Sequence, residues 1–199
     1  MRVRVALTVV ASLACLVPLA AQGTLSRQEA DRFHAKLARI VEYGNIPGKR
    51  TTVRSTAMTD AEVNSYLKFL AGDQVPAGVV DPALNALGAG RVSGRAIVDL
   101  DAVRQQKARG WLDPVGYLTG RLPVTAEGRL TAQDGVGRFE LESAAVSGIT
   151  VPKAVLQELL SYYSRTPEKP SGINMDDPFE LPARIREIRV GSGTATVVQ

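Results

Sequence analysis

Cysteine, histidine and aromatic residues are scarce in this chain, and each scarcity removes a class of chemistry. Of 199 residues one is cysteine, Cys15, one is histidine, His34, and one is tryptophan, Trp111. A single thiol closes no disulfide framework within the chain. Without thiols or paired histidines at ligand spacing there is no zinc motif. A nucleophilic relay would have to run through His34, which follows Phe33 in an amphipathic pattern, the setting of a surface or boundary histidine. No basic cluster interleaved with aromatics is present, so the usual signature of nucleic-acid binding is missing. Nor is there a repeat of fixed period or a low-complexity segment.

The long apolar run, residues 5–19, follows Met1-Arg2-Val3-Arg4. Two cations, an apolar stretch and the small residues Ala20 and Ala21 before Gln22 have the layout of a secretory signal peptide. The run is shorter than the about 20 residues a membrane span needs. Residues 1–22 are therefore expected to be removed, taking Cys15 with them. Residues 23–199 would then work as one domain in a periplasmic or extracellular space. Two other readings stay open, in both of which the domain faces outward. One is lipidation at Cys15, although Ser12-Leu13-Ala14 puts the leucine one place late. The other is an uncleaved anchor over 5–21 in a thin bilayer. The chain has 24 Lys+Arg against 20 Asp+Glu, and loss of Arg2 and Arg4 leaves 22 against 20. A balance so close to neutral gives no argument for a nucleic-acid partner.

Residues 25–41 place Phe33, Leu37, Ile40 and Val41 at i, i+4, i+7 and i+8, one face of a helix. Ser26 with Glu29 three positions on predicts a capping box at its start, and Gly44-Asn45-Ile46-Pro47-Gly48 its end. A strand is expected over 50–58. A second helix over 61–71 starts at Thr59 or Asp60, with Val63, Tyr66, Leu67 and Leu70 on one face and Gly72 as its stop. Residues 75–89, rich in proline and glycine, read as a connection. Beyond it the period falls to two, with Val92, Gly94, Ala96, Val98 and Leu100 alternating with a mostly polar set over 90–101. A helical connection over 101–109 leads to strands over 117–125, 128–132 and 135–146, with turns at Glu127-Gly128 and Asp134-Gly135. Pro152 belongs in the first turn of a third helix, with Leu156, Leu159, Leu160 and Tyr163 on one face. Residues 185–190 and 194–198 complete a C-terminal hairpin. The sum is α+β, an antiparallel sheet with helices on one face.

Candidates for chemistry are few. Asp99 and Asp101 share a strand face, and Asp176-Asp177 precede Pro178. Paired acids can act as acid and base in glycoside hydrolysis or bind calcium, but these stand at a strand end and a turn, where acids accept local backbone bonds. Residues 88–94 are glycine-rich without the spacing of a phosphate loop. Trp111 reads as a core plug ahead of a membrane or ligand contact. No catalytic residue, metal ligand or cofactor is expected. What the chain does have is aliphatic faces on sheet and helices alike. These either close on each other as core or leave a cleft suited to acyl chains.

Three segments carry a resemblance. They are Met58-Thr59-Asp60-Ala61-Glu62-Val63-Asn64-Ser65-Tyr66-Leu67, the strand over 91–100, and the tail Pro178-Phe179-Glu180-Leu181-Pro182-Ala183-Arg184-Ile185-Arg186-Glu187-Ile188-Arg189-Val190 with its Gly-bounded last strand. Together they resemble bacterial exported proteins of the tubular lipid-binding (TULIP-like) type, with Asp60 where glutamate is usual. The resemblance implies a strongly curved antiparallel sheet wrapped around amphipathic helices, with a lipid or other amphiphile in the groove, and it supplies no catalytic residues. The expected groove residues are Val63, Leu67 and Leu70 of the second helix, Leu156, Leu159, Leu160 and Tyr163 of the third, and Val98, Leu100, Phe139 and Leu141 of the sheet. Head-group contacts are not legible, since Arg91, Arg95 and Arg138 serve equally as solvated strand residues. The expected role is a non-enzymatic carrier or binder of a lipid-like ligand in the cell envelope, in transient contact with a membrane. The alternative is a structural or assembly protein that docks a partner protein through a sheet edge or the helix over 153–165. A carboxylate hydrolase built on Asp99 and Asp101 is a third reading.

Overall fold

The structure, a computed structural model, describes residues 24–48, 52–106, 119–167 and 169–199. The expected signal segment, Cys15, Trp111 and Tyr117 lie outside these residues. The elements in chain order are α1 (Arg27–Asn45), β1 (Ser55–Thr59), α2 (Asp60–Phe69), β2 (Val79–Gly88), β3 (Arg91–Asp99), α3 (Leu100–Gln106), β4 (Arg121–Gln133), β5 (Val136–Val146), β6 (Ile149–Thr150), α4 (Lys153–Tyr163), β7 (Phe179–Glu180), β8 (Glu187–Gly191) and β9 (Thr194–Val198). All pairings are antiparallel. A small sheet has the order β1-β9-β8, and a large one the order β2-β3-β4-β5-β6, with β7 added to β5. The chain is thus α+β.

The core gathers where the two sheets and the first two helices meet. Phe33 and Ile40 of α1, Tyr66 of α2, Met58 and Val197 of the small sheet, Ala132 near the end of β4, and Leu181 and Ile185 before β8 form one buried cluster. The rings of Phe33 and Tyr66 lie 5.1 Å apart at a tilted angle. On α1 the covered stripe is Ala30, Phe33, Ile40 and Gly44. Val41, expected on this face, is 51% exposed because it falls beside that stripe. Gly44 is a close-approach residue, since a β-carbon there would come 2.5 Å from the Ala183 carbonyl oxygen.

Capping differs from expectation in an instructive way. Ser26 does cap α1, its hydroxyl accepting from the Glu29 N–H at 3.1 Å. The return arm of the box is missing because the Ser26 N–H donates instead to the hydroxyl of Ser65, a fully buried residue of α2. Glu29 turns to Arg32. The reciprocal box forms at α2, where the Thr59 hydroxyl accepts from the Glu62 N–H at 3.2 Å and the Glu62 carboxylate accepts from the Thr59 N–H at 2.9 Å. Leu70 is the C-cap of α2 and not a helical residue.

Two strand readings are corrected. The presumed connection over 75–89 contains β2, an edge strand. The ladder shifts between Val80 and Ala83, and Asp81 takes a φ of 48°, so Pro82 sits in a bulge where its missing N–H removes no ladder bond. The two strands expected on either side of Glu127-Gly128 are one, β4. The irregularity lies on the partner, where β5 inserts Glu142 between the residues opposite Glu127 and Gly128. Gly128 is needed for room, because a β-carbon there would come 2.5 Å from both the Glu140 oxygen and the Phe139 ring. The Asp134-Gly135 turn forms as expected, both residues with positive φ. Pro152 is the N-cap of α4, one place before the first turn.

Polar side chains at the start of α2 tie the two sheets together. Lys36 of α1 reaches the Glu62 carboxylate at 2.6 and 2.8 Å and the Ala57 carbonyl of β1 at 2.7 Å. The Asp60 carboxylate accepts from the Ala86 N–H at 3.1 Å. The Asn64 amide mimics a neighbouring strand, donating to the Leu84 carbonyl at 2.8 Å and accepting from the Leu84 N–H at 2.7 Å. The open edge of β2 is sealed by side chains in this way.

Two outcomes are expected. Asn64→Ala leaves both backbone groups of Leu84 unpaired and should destabilise the fold by about 1–2 kcal/mol, read as a lowered urea midpoint. An unchanged midpoint would show that the strand mimicry contributes nothing. For Glu62, burial raises the carboxyl pKa, but hydrogen bonds from Lys36 and the Thr59 N–H and the Lys36 charge outweigh it, leaving the value below the usual 4.5. A lowered folded pKa contributes stability that is present above about pH 4.5 and is lost as pH falls through the folded value. Glu62→Gln should therefore melt lower at pH 7 and lose less on acidification below pH 4.5 than the parent protein. Parallel acid profiles for the two proteins would rule out that linkage.

Candidate functional site

The register of the large sheet sorts its residues by face. Opposite Val92, Gly94, Ala96 and Val98 of β3 stand Gly128, Ala126, Val124 and Leu122 of β4. Across β4, Val124 and Ala126 meet Val146 and Ala144 of β5, and beyond the bulge Gly128 and Leu130 meet Leu141 and Phe139. Every one of these side chains is apolar or absent, so one face is wholly aliphatic but for the Phe139 ring. The opposite face is mostly polar, with Ile97, Pro123 and Ala145 among its apolar members. There Arg91 bridges Glu127 and Glu142 at 3.1 Å each, and Arg129 approaches Glu142 at 3.6 Å.

The apolar face is unevenly covered. At one end Leu130 and Ala132 join the core. At the other, Val98, Leu122, Val124 and Val146 are half-buried and belong to no described core cluster. Leu84 of β2, 48% exposed, leans over Gly94, whose added β-carbon would meet it at 3.3 Å. The helix α4 packs against β5, with Leu156, Leu159 and Leu160 half-buried and Val155 46% exposed.

The expected groove residues therefore separate into groups. Val98, Phe139 and Leu141 lie on the one apolar sheet face, and Leu156, Leu159 and Leu160 lie on α4. Val63 and Leu67 pack against the core at the junction of the sheets. Leu70 is 37% exposed at the end of α2, and Leu100 is buried as the first residue of α3 and lies outside the sheet. Tyr163 ends α4, and its side chain lies outside the described residues. Leu84, Leu122, Val124 and Val146 share this apolar face and are not among the expected groove residues. The alternation of Leu122, Val124 and Ala126 was visible in the sequence, but the false turn at Glu127-Gly128 hid its continuity with Leu130 and Ala132.

Three described cavities lie elsewhere. One of about 240 Å³ crosses the polar sheet face, with Asn85, Ser93, Arg95, Thr125, Glu127 and Ser143 among its lining. One of about 510 Å³ lies between α1 and β1, lined by Lys36, Arg39, Arg54, Ser55, Thr56 and Ala57. One of about 340 Å³ is lined by Val53, Gln133, Asp134, Arg186, Glu187, Arg189 and Val198. None of the three is lined by the expected groove residues.

The carboxylate pair is structural in its bonding. Asp99 ends β3, accepting from the Ala102 N–H at 3.1 Å and from Arg121 at 3.0 Å. The Ala102 bond first, and then Arg121, hold its carboxyl below the usual carboxylate value, which suits a permanent anion and not a proton donor. Asp101 belongs to α3, not to a strand face, and accepts from the Gly120 N–H at 3.1 Å. Asp176 pairs with Lys153 of α4. His34 is exposed on α1 and stacks on Tyr66 at 6.2 Å. Among the described residues no three His, Cys, Asp or Glu side chains converge as a metal ion would require.

No model of a known protein family matches the chain, and no curated protein does. Among solved structures there is a partial likeness to one described as "Crystal structure of lipopolysaccharide binding protein", at 15% sequence identity over 78% of this chain and 45% of that one, with a TM-score of 0.22. The chain spans less than half the length of that protein, and at so low a TM-score the likeness establishes no shared fold.

Proposed function

We propose that this chain is an exported, non-enzymatic protein that holds a lipid or another hydrophobic ligand against the open half of the large sheet's apolar face. The leucines of α4 form the second wall. One observation carries the reading: Val98, Leu122, Val124 and Val146 make a continuous aliphatic surface that the described residues only half cover. An acyl chain needs burial and little directional bonding, and each methylene taken from water contributes about 0.8 kcal/mol. The bulges at Val80/Ala83, Ala86/Gly88 and Glu127/Gly128 support a sheet curved around such a ligand, because a bulge bends its strand and increases local twist.

The test is native mass spectrometry, beside organic extraction, of the chain purified from the periplasm of an expression host. A stoichiometric lipid mass is expected, lost in Val124→Asp and Leu160→Asp while far-ultraviolet circular dichroism stays unchanged. A clean apo mass that persists after incubation with envelope lipids would overturn the reading. So would failure of both variants to fold, which would make these positions ordinary core.

A further inference from the structure

The second cavity has a chemistry of its own. It lies between α1 and the outer edge of β1, the edge strand of the small sheet. Arg54 and Gln199 exchange both backbone hydrogen bonds, Arg54 N–H to Gln199 at 3.0 Å and Gln199 N–H to Arg54 at 2.9 Å. In an antiparallel ladder such pairs alternate with pairs whose backbone groups point away from the partner. Ser55 and Ala57, opposite Val198 and Thr196, are therefore the residues of β1 that direct N–H and C=O outward. The Ala57 carbonyl confirms that direction by accepting from Lys36. Two backbone donors, the N–H groups of Ser55 and Ala57, consequently face the cavity.

The side chains around those donors are cationic. Lys36, Arg39 and Tyr43 fall at i, i+3 and i+7 on α1, and Arg54 lies over the Tyr43 ring at 4.5 Å from its centroid. Lys36 is neutralised by Glu62. Arg39 and Arg54 form no ion pair with any described carboxylate, and both are exposed. Ser55 and Thr56 also belong to the lining, and because successive side chains of a strand point to opposite faces only one of the two hydroxyls can share a face with Ala57. Two guanidinium forks and two outward amides around one cavity match a tetrahedral oxyanion with several acceptor oxygens and close to two negative charges. At about 510 Å³ the cavity exceeds what a bare ion fills.

We infer that the groove between α1 and the β1 edge is a binding site for a phosphoryl group carried on a larger ligand. The inference rests on edge geometry and charge and stands independently of the ligand proposed for the apolar sheet face. Its first probe, inorganic phosphate, has no acyl chain, so the two readings fail separately.

The experiment titrates the periplasmically expressed chain with sodium phosphate at constant ionic strength, following the amide signals of Ser55 and Ala57 by NMR. Saturable shifts at both amides are expected. Affinity should fall about tenfold or more in the double variant Arg39→Gln, Arg54→Gln, and stay unchanged in Arg95→Gln, Arg138→Gln, which removes the same charge from the large sheet. Sedimentation with vesicles of phosphatidic acid, a phosphomonoester lipid, in phosphatidylcholine then separates the sources. Co-sedimentation lost in the Arg39, Arg54 variant assigns the phosphoryl group to a lipid headgroup. Phosphate shifts without co-sedimentation assign it to a soluble phosphorylated ligand. Either result sustains the site. Absence of saturable shifts, or equal affinity in the two double variants, overturns it.

Discussion

The polar start of α2 is the constraint on which the two-sheet arrangement depends. Glu62 is 4% exposed and is tolerated there because Lys36, the Thr59 N–H and the Thr59 hydroxyl surround it. Removing one partner of a buried ion pair costs about 3–5 kcal/mol, far more than the net worth of the pair, because the other charge is left behind. Lys36 of α1 and the Thr59 N–H at the end of β1 both donate to this carboxylate, and Lys36 also donates to the Ala57 carbonyl of β1. Two residues to either side of Glu62, Asp60 and Asn64 bind the edge of the other sheet. The sheets touch directly at Leu87 and Ser192, through the Gly193 N–H on the Ala86 carbonyl, and through the Gly90 N–H on the Val190 carbonyl. Those few backbone contacts would leave the edge of β2 open without the side chains of α2.

Burial follows from that junction. Two helices, the small sheet and the near end of β4 share one cluster, and the large sheet runs outward from it with one largely polar and one apolar face. A polar face can stay in water. An apolar one has either to be covered or to serve something that covers it, and the half-burial of Val98, Leu122, Val124 and Val146 is the physical basis of the functional reading. Val63 and Leu67, by contrast, are partly buried and pack against the core cluster at the junction of the sheets.

Much of the fold was legible because it rests on local signals. The 3.6-residue spacing of Phe33, Leu37 and Ile40, the cap at Thr59 and the Asp134-Gly135 turn are decided within a few residues. What was not legible depends on partners distant in sequence. Pro82 and Asp81 argue against a strand until β2 is known to be an edge with a bulge. Gly128 argues for a turn until Phe139 is known to need its space. Ser26 and Glu29 have the letters of a capping box, yet Ser65, 39 residues away, takes the N–H that Glu29 would have satisfied. The site suffered likewise. The aliphatic alternation was visible strand by strand, whereas which strands lie side by side, and which end of their common face meets the core, is set by register.

Asp60, Glu62 and Asn64 each satisfy backbone or charge at the junction of the sheets. Yet their bonding also sets the electrostatics of the neighbouring groove. Lys36 lines the cavity between α1 and β1 but brings little net charge to it, because Glu62 binds it from the other side. The positive potential there belongs to Arg39 and Arg54 alone among the described lining residues. Had Glu62 been neutral, the groove would carry a third cation and the core a destabilised α2. The carboxylate that holds the sheets together therefore also limits the charge the groove offers, so the stability of the fold and the electrostatic strength of the groove are not independently adjustable.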